Sequence, residues 1–451
     1  MIRAAVPHLP IRSLAVLAAS LKKEGHEVKI LDLSISNNPD GELVRHLAEY
    51  SPEYAGITFT TPLFPEALKL SRRIKEISPC TRIVAGGVHA TSLPEETLLN
   101  SEIDIVVSGE GDITFPELVS GRELKTIKGI YFREGGSIVS TPRRERIGSL
   151  DELPFPDWSL FDLKKYRSSR ICSRQNPVGP LTTSRGCVYE CSFCNKNIFG
   201  REFRVKSPAR VIEEIKYMLS CGFKEIHIWD DQFTTDLERA KEICRLIKAN
   251  KLHFPWNIWA GVRVDSVDME FLRMAKDTGC YAISYGPESG DEKILGQMHK
   301  NITLAQSRNA FRMAKDAGLE TVAFFMFGMP AETINSMEET INFAIELSPE
   351  YAKVTLALPF PSTALLEELD REGRIKSKDW GKYNFHDTEE VWEHPNLSWK
   401  VLNRYYRKFY RKFYLRLSYI LPRLKRSIKE RNIFFDIYYA FRTFFPGKSI
   451  R

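Results

Sequence analysis

The sequence predicts an α/β protein in which an amino-terminal doubly wound sheet precedes a partial (β/α)6 barrel and a helical carboxyl-terminal region. Short apolar runs alternate with amphipathic segments over the first 135 residues, and this alternation restarts near residue 181. Strands that alternate with helical patterns are typical of parallel α/β sheets. The chain has 451 residues, enough for two or three domains.

Residues 1–135 predict a flavodoxin-like domain, because their apolar runs have the length and composition of buried parallel strands. We expect helices at residues 14–24 and 64–77, and strands at residues 2–6, 27–31, 54–59, 82–85, 104–107 and 128–132. Ligands of such sheets bind at the carboxyl ends of the strands. Three loops rich in small residues follow strands there, at 58–62, 86–92 and 108–112.

A linker is predicted at residues 136–175, where the Pro-rich stretch LPFPDW marks a domain boundary. Over residues 176–364, six βα units in a row favour a TIM-like barrel over a second open sheet. Its expected strands are 181–184, 225–229, 256–261, 281–286, 321–327 and 353–358, and its expected helices are 207–220, 236–249, 267–278, 304–317 and 333–347. The chemistry of a barrel lies at the carboxyl ends of its strands.

Residues 365–451 form the helical region, which ends in a basic and aromatic segment. Residues 400–451 contain 15 Lys or Arg and two acidic residues, a net charge of +13 that leaves −6 for the preceding chain. Aromatic residues at 405, 406, 409, 410, 413 and 414 share one helical face. This face either packs on the barrel, contacts an anionic membrane surface, or stacks on RNA bases.

We expect the protein in the cytoplasm, and a peripheral location at a membrane is the alternative. No apolar run approaches the ~18 residues of a membrane-spanning helix, and we find no secretory signal. The eight cysteines do not form the pattern of a disulfide framework, since five are scattered and three fall within eight residues.

Those three residues, Cys187, Cys191 and Cys194, occur in RGCVYECSFCNKN directly after the first barrel strand. Thiolates suit iron–sulfur clusters or zinc. Structural zinc needs a fourth ligand, and no Cys or His is spaced to supply one. Three cysteines on a four-iron cluster leave one iron open for catalysis. The structural alternative is that the three are unrelated buried thiols.

With Phe193 before its third cysteine, this segment resembles the C-x3-C-x-aromatic-C signature of the radical S-adenosylmethionine (SAM) family. The resemblance implies a [4Fe–4S] cluster whose open iron chelates SAM, and reductive cleavage of SAM to a 5′-deoxyadenosyl radical. A reductant such as flavodoxin or ferredoxin is implied as a partner. The cofactors carry this chemistry, and the protein positions them.

The same resemblance implies SAM contacts at the ends of successive barrel strands, namely at Asp230 or Asp231, Arg263, Glu288, Ser289 and Gly328. Each has a structural alternative. Asp231 suits a helix N-cap, Arg263 a surface salt bridge, and Ser289 a capped turn. Glu332 and Thr333 are expected to begin the next helix.

The doubly wound domain before this barrel resembles the cobalamin-binding branch of the family, on the segments 7–32, 86–98 and 104–112. No Asp-x-His-x-x-Gly motif is present, which implies cobalamin without a lower histidine ligand. The implied contacts are Thr60, Gly86, Gly87, His89, Gly109 and Glu110. Alternatively, His89 caps a loop, Glu110 closes a turn, or the domain has lost its cofactor.

The function predicted from this reasoning is methyl transfer, or cyclisation or rearrangement, at an unactivated carbon of a small lipid-like or polycyclic substrate. Acid and base residues cannot be assigned from the sequence. One alternative is an RNA-modifying radical SAM enzyme that binds nucleic acid through the basic tail. A second is a non-catalytic cobalamin-binding sensor, which the cysteine triad disfavours.

Overall fold

A computed structural model describes residues 9–99, 101–386 and 388–429 and confirms the predicted α/β fold class. Its amino-terminal sheet has five strands in sequential order, β1 to β5. The strands are β1 Tyr54–Thr58, β2 Arg82–Gly86, β3 Ile105–Val107, β4 Ile130–Glu134 and β5 Ser137–Ser140. The first three are parallel, and β4 and β5 form an antiparallel hairpin. The expected strand at 2–6 lies outside the described residues.

One expectation for this sheet was wrong in detail, and another stays a prediction. Residues 27–31 pair with no strand in the described part of the chain, and their apolar side chains are half-buried. The single strand expected at 128–132 is the first half of a hairpin. Gly135 and Gly136 both have positive φ, which two-residue hairpin turns require.

The helices of this part are α1 Arg12–Lys23, α2 Pro39–Tyr50, α3 Phe64–Ile77, α4 Val88–Ser92, α5 Pro94–Leu99 and α6 Gly111–Val119. The expected helices at 14–24 and 64–77 correspond to α1 and α3. The short helix α4 begins in the GGVHATS loop, directly after β2. The loops after β1, β2 and β3 therefore lie at one edge of the sheet, at the carboxyl ends of parallel strands.

The second sheet contains six parallel strands, open between its first and last members, as a partial barrel requires. Its strands are β6 Val178–Leu181, β9 Glu225–Ile228, β10 Trp256–Val262, β11 Cys280–Glu288, β12 Glu320–Phe327 and β13 Tyr351–Leu356, with the separate hairpin β7 Ser184–Arg185 and β8 Arg204–Val205. The first strand starts earlier than the expected 181–184. Pro180 is tolerated there because β6 pairs only on one side.

The barrel helices are α7 Pro208–Ser220, α8 Leu237–Ala249, α9 Met269–Asp277, α10 Glu292–Gln297, α11 Leu304–Asp316 and α12 Ile334–Leu347. All but the short α10 match expected helices to within two residues. All six begin after a side chain that caps backbone N–H groups of the first turn, as is common at helix starts. These caps are Ser207, Asp236, Asp268, Asp291, Thr303 and Thr333.

The carboxyl-terminal helices are α13 Ala364–Arg371, α14 Trp399–Tyr414 and α15 Leu417–Lys429. The packing alternative for the aromatic face is the correct one, because Phe409 and Phe413 of α14 are fully buried. The Tyr414 hydroxyl accepts from the Ala352 N–H at 3.0 Å and donates to its carbonyl at 2.8 Å. Tyr410 does the same at Val354. Helix α14 thus satisfies the open edge of β13, which would otherwise expose unpaired backbone groups.

No helix among the described residues has both the length and the apolar character needed to cross a membrane.

Candidate active site at the cysteine loop

The hairpin of β7 and β8 carries the loop over residues 186–203, here termed the cysteine loop. Gly186 opens it with φ of +89°, and a Cβ there would lie 2.1 Å from the carbonyl oxygen of Glu202. Only glycine fits such a position. The Cys187 N–H donates to the Gly200 carbonyl at 3.2 Å, which closes the base of the loop.

Contacts with three other segments hold the middle of the cysteine loop. The Ser192 N–H donates to the Met298 carbonyl at 3.0 Å, after α10. The Asn195 side-chain amide donates to the Ser92 hydroxyl at 2.8 Å and to the Pro361 carbonyl at 2.7 Å. Since Ser92 ends α4 of the amino-terminal sheet, Asn195 joins the cysteine loop to the predicted cobalamin loop.

The three cysteines offer soft ligands from a single short stretch of chain. Cys187 and Cys191 are half-buried and Cys194 is exposed. Desolvation raises the pKa of Cys187 and of Cys194, and the charge of Lys196 lowers both. Among the described residues, no three His, Cys, Asp or Glu side chains are already gathered round one point. Three thiols without a fourth protein ligand fit a four-iron cluster with an open iron and do not fit closed tetrahedral zinc.

The two aspartates after β9 have different environments. Asp230 is buried, and its carboxylate accepts from the Thr183 N–H and hydroxyl at 2.5 Å each and from the Ser184 hydroxyl at 2.6 Å. Asp231 is exposed and accepts from the Gly186 N–H at 3.1 Å. Desolvation raises the pKa of Asp231, and the Gly186 N–H opposes that rise. Asp231 is not the expected helix N-cap, because Asp236 caps α8.

Arg263 is buried and contacts Tyr189 of the cysteine loop, so it is not the surface residue of the salt-bridge alternative. Its guanidinium lies 3.8 Å from the ring centre of Tyr189 and makes two hydrogen bonds to Asp265, at 2.9 and 2.8 Å. A third bond, at 2.6 Å, goes to the Lys300 carbonyl. This buried stack places a fixed positive charge beside Cys191.

Glu288 ends β11 with φ of +61° and accepts from the Lys300 ammonium at 2.9 Å. Burial opposes ionisation of Lys300, but Glu288 raises the pKa of Lys300. A Cβ at Gly286 would lie 2.4 Å from the Glu288 carboxylate. Glycine at 286 therefore makes room for this buried pair, which lies near Cys191.

Ser289 and Gly328 have local structural partners. The Ser289 hydroxyl contacts that of Thr340 at 3.1 Å and accepts from the Asp291 N–H, as the capped-turn alternative predicts. Gly328 has φ of +87°, and its N–H donates to Glu332 at 3.2 Å. Desolvation raises the pKa of the buried Glu332 to about 7. Thr333 caps α12, as expected.

The predicted cobalamin loops surround a buried histidine. Gly87 has φ of +96°, and a Cβ there would lie 2.7 Å from the Thr58 hydroxyl. His89 is fully buried, its ring centre is 4.4 Å from that of Phe64 and 5.8 Å from that of Trp380, and neither ring nitrogen has a hydrogen-bond partner. Desolvation lowers the pKa of His89 to about 4.

The other predicted cobalamin contacts lie at the same edge of the sheet. Thr60 is exposed after β1, and Gly86 is the half-buried last residue of β2. Gly109, with φ of +88°, donates its N–H to the Thr91 hydroxyl at 3.1 Å. Thr60, Gly86, Gly109 and His89 thus share one edge, as their positions after parallel strands predict.

Glu110 is part of a buried ionic network between the amino-terminal sheet and the cysteine loop. Its carboxylate accepts from Arg204 at 2.8 and 3.0 Å, from Arg185 at 3.2 Å, and from the Ile147 N–H at 2.9 Å. Arg185 also makes two bonds to Asp112, at 2.9 and 3.0 Å. Burial alone would raise the pKa of Asp112, but Arg185 lowers it. This group, Glu110, Asp112, Arg185 and Arg204, is here termed the ionic network.

Sequence reasoning missed the side chains that join these elements, namely Arg185, Arg204, Tyr189, Asn195 and Lys300. All act through contacts between residues distant in the sequence. Arg185 and Asn195 flank the cysteines in the quoted segment, and their nearness was the only available signal. No pattern distinguishes Arg204 or Lys300 from the other 63 Lys and Arg residues of the chain.

Comparison with known proteins agrees with this arrangement. The model of the B12 binding domain matches residues 3–119, and that of the radical SAM superfamily matches residues 181–344. The matches confirm the predicted cofactors, which are a [4Fe–4S] cluster, SAM and cobalamin, and they exclude the non-catalytic sensor. Which side chains contact SAM and cobalamin stays a prediction.

Individual proteins are similar over most of the chain. An uncharacterized methyltransferase of Pyrococcus horikoshii is 36% identical, over 83% of this chain and 81% of its own length. The anaerobic magnesium-protoporphyrin IX monomethyl ester cyclase of Cereibacter sphaeroides is 29% identical, over 82% of this chain and 62% of its own length. The solved structure of the methyltransferase TsrM from Kitasatospora setae shares the fold, with a TM-score of 0.69 at 21% identity over 81% of this chain and 75% of that one.

Gly186→Ala tests whether the base of the cysteine loop shapes the cluster site. The new methyl group would collide with the Glu202 carbonyl, so we expect iron content after anaerobic reconstitution to fall severalfold from about four per chain. Gly222→Ala is the matched control, since Gly222 also has positive φ but has open space around it. Iron content equal in the two variants would contradict the proposed role of Gly186.

Proposed function

This chain belongs to the cobalamin-binding branch of the radical SAM family, and on that premise we propose that it methylates an unactivated carbon of a small lipid-like or polycyclic substrate. The observation that carries the proposal is the contact between the cysteine loop and the amino-terminal sheet. Asn195 bonds Ser92, and Arg185 and Arg204 bond Glu110. Two cofactors bound at these loops would face a shared space.

Separate residues of the site hold the cluster, bind SAM and supply positive charge. Cys187, Cys191 and Cys194 hold the cluster, which with SAM supplies radical and methyl-donor chemistry when bound. Asp231, rather than Asp230, accepts from the SAM amino group, because the Asp230 carboxylate already accepts three hydrogen bonds. Arg263 and Lys300 supply positive charge beside Cys191.

We assign different roles to the remaining residues that were predicted to contact SAM or cobalamin. Glu288 accepts a hydrogen bond from Lys300, whose ammonium lies near Cys191, so we keep Glu288 as a residue of the SAM site. Gly328 has no side chain and would let the backbone approach SAM closely. Ser289 is bonded within its own turn, so we assign it to shaping that turn. Toward cobalamin we propose Thr60, Gly86, Gly87, His89 and Gly109 as the lining, with Glu110 acting through the ionic network.

Methyl transfer is preferred over cyclisation because the methyltransferase relative is 36% identical and the cyclase relative 29%. Cyclisation or rearrangement of a polycyclic substrate is the second candidate, which the cyclase relative supports. RNA modification is less favoured. The aromatic side chains at 409 and 413 that would stack on bases are buried against the barrel.

The partners that we propose are a low-potential reductant, such as flavodoxin or ferredoxin, and a small-molecule substrate. Radical SAM enzymes need an electron donor, and the exposed Cys194 leaves the cysteine loop accessible to one. We place the enzyme in the cytoplasm, peripheral to an anionic membrane surface that the basic carboxyl-terminal helices contact.

The direct test incubates the anaerobically reconstituted enzyme with cobalamin, reductant, methyl-deuterated SAM and a pool of isoprenoid and tetrapyrrole compounds. Mass spectrometry should find a product that carries the labelled methyl group. Cys187→Ala, Cys191→Ala and Cys194→Ala should abolish SAM cleavage, whereas Cys221→Ala and Cys244→Ala should spare it. Products altered in mass without the label would favour cyclisation, and stoichiometric zinc without iron would refute the proposal.

Asp231→Asn and Asp230→Asn form a matched pair for the SAM site. Loss of a charge-assisted hydrogen bond should weaken SAM binding to the Asp231 variant about tenfold, with melting temperature and iron content unchanged. The Asp230 variant should melt at a lower temperature instead, because its amide faces donors from Thr183 and Ser184. Calorimetric SAM binding and thermal unfolding separate the two, and unchanged SAM affinity in the Asp231 variant would remove that residue from the site.

A further inference from the structure

Helix α15 exposes a row of large aliphatic side chains, while Tyr419, Arg423 and Arg426 on its opposite face contact the barrel. Five residues at helical positions i, i+3, i+4, i+7 and i+11 are exposed by fractions of 37% to 71%, namely Leu417, Ile420, Leu421, Leu424 and Ile428. At about 100° per residue these positions fall on one stripe about 100° wide. This set is here termed the apolar stripe.

The opposite face of α15 is fixed to the barrel by polar and aromatic contacts. The Tyr419 hydroxyl donates to the Glu350 carbonyl at 3.0 Å. Arg426 pairs with Glu320, and the Arg423 guanidinium lies 5.2 Å from the ring centre of Tyr351. These contacts set the orientation of the helix, so the apolar stripe must point away from the body of the enzyme.

The helix that carries the stripe and the helix before it are strongly basic. Residues 399–429, which span α14 and α15, contain eleven Lys or Arg and no Asp or Glu. Arg404, Arg407, Arg411 and Lys412 are exposed along α14, and Lys425 is exposed along α15. A helix with an apolar face and flanking cations is the arrangement that lies in the interface of anionic lipids, where each nearby basic residue contributes about 1 kcal/mol.

We propose that the apolar stripe of α15, together with the exposed basic residues of α14 and α15, docks the enzyme on an anionic lipid bilayer. Charge complementarity favours this occupant. A second copy of the same surface would bring like charges together. Residues 430–451 have four basic and two acidic residues, a net charge of +2, so the net charge of that segment does not complement the basic surface.

The position of α15 adds a consequence for orientation. Its partners Glu320 and Glu350 lie at the amino-terminal ends of β12 and β13, whereas the cysteine loop follows the carboxyl end of β6. Docking therefore turns the active-site end away from the bilayer and leaves it open to a reductant. The inference takes only the peripheral location from the proposed function and does not depend on which reaction the barrel performs.

The test is sedimentation of the full-length reconstituted enzyme with vesicles of equal parts phosphatidylglycerol and phosphatidylcholine, compared with pure phosphatidylcholine. We expect binding to the anionic vesicles at low salt, weaker binding at high salt, and little to neutral vesicles. The double variant Leu417→Ser/Leu421→Ser should bind about tenfold more weakly or worse. Its control is Leu99→Ser/Ile334→Ser, which removes exposed aliphatic side chains elsewhere and should bind normally.

Three results would overturn the proposal. The first is a failure of the enzyme to sediment with anionic vesicles at low salt. The second is binding of the stripe variant equal to that of the control variant. The third is a stripe variant whose only change is the conversion of a solution dimer to a monomer, measured by light scattering. Circular dichroism of the variants verifies that they are folded. Vesicle binding is measured without substrate turnover, so its failure leaves the proposed methyl transfer untouched, and failed methyl transfer leaves vesicle binding untouched.

Discussion

Glu110 and Asp112 follow the carboxyl end of β3, and their carboxylates accept hydrogen bonds from Arg185 and Arg204 at the base of the cysteine loop. All four side chains are almost fully buried. Removing one member of such a group leaves an uncompensated buried charge and costs about 3–5 kcal/mol. The ionic network therefore fixes the loop that carries the predicted iron ligands against the loop predicted to border cobalamin, and the relation between the two predicted cofactor sites depends on it.

Other parts of the structure extend this constraint on both sides of the cysteine loop. Asn195 adds a contact to α4 on the side of the amino-terminal sheet. On the barrel side, Arg263 stacks on Tyr189 within the loop and bonds the carbonyl of Lys300. The loop is thus held by polar contacts from both domains, while Cys194 within it stays exposed. Helix α14 covers β13, the edge strand of the barrel sheet. Helix α15 lies at the amino-terminal ends of β12 and β13, whereas the cysteine loop follows the carboxyl end of β6.

Local patterns predicted most of the fold, because strand and helix signals in this chain agree with their tertiary setting. The five expected barrel helices begin within two residues of the observed starts, and three cysteines in eight residues predicted the iron ligands. The exceptions have physical reasons. The first barrel strand begins at Val178, earlier than expected, because an edge strand tolerates Pro180, and the strand expected at 128–132 is half of a hairpin. The ionic network could not be predicted, since Glu110 and Arg204 are 94 residues apart and only the folded chain brings them together.

Hydrogen–deuterium exchange of Glu110→Gln tests the coupling role of the ionic network most directly. The account predicts that backbone amides in residues 104–112 and 184–205 exchange at least about tenfold faster than in the wild type, while those in β12 and β13 do not change. Asp40→Asn, which breaks the exposed pair with Arg73 in the same domain, should leave residues 184–205 unaffected. Wild-type exchange rates over 184–205 in the Glu110 variant would contradict the claim that this network holds the cysteine loop in place.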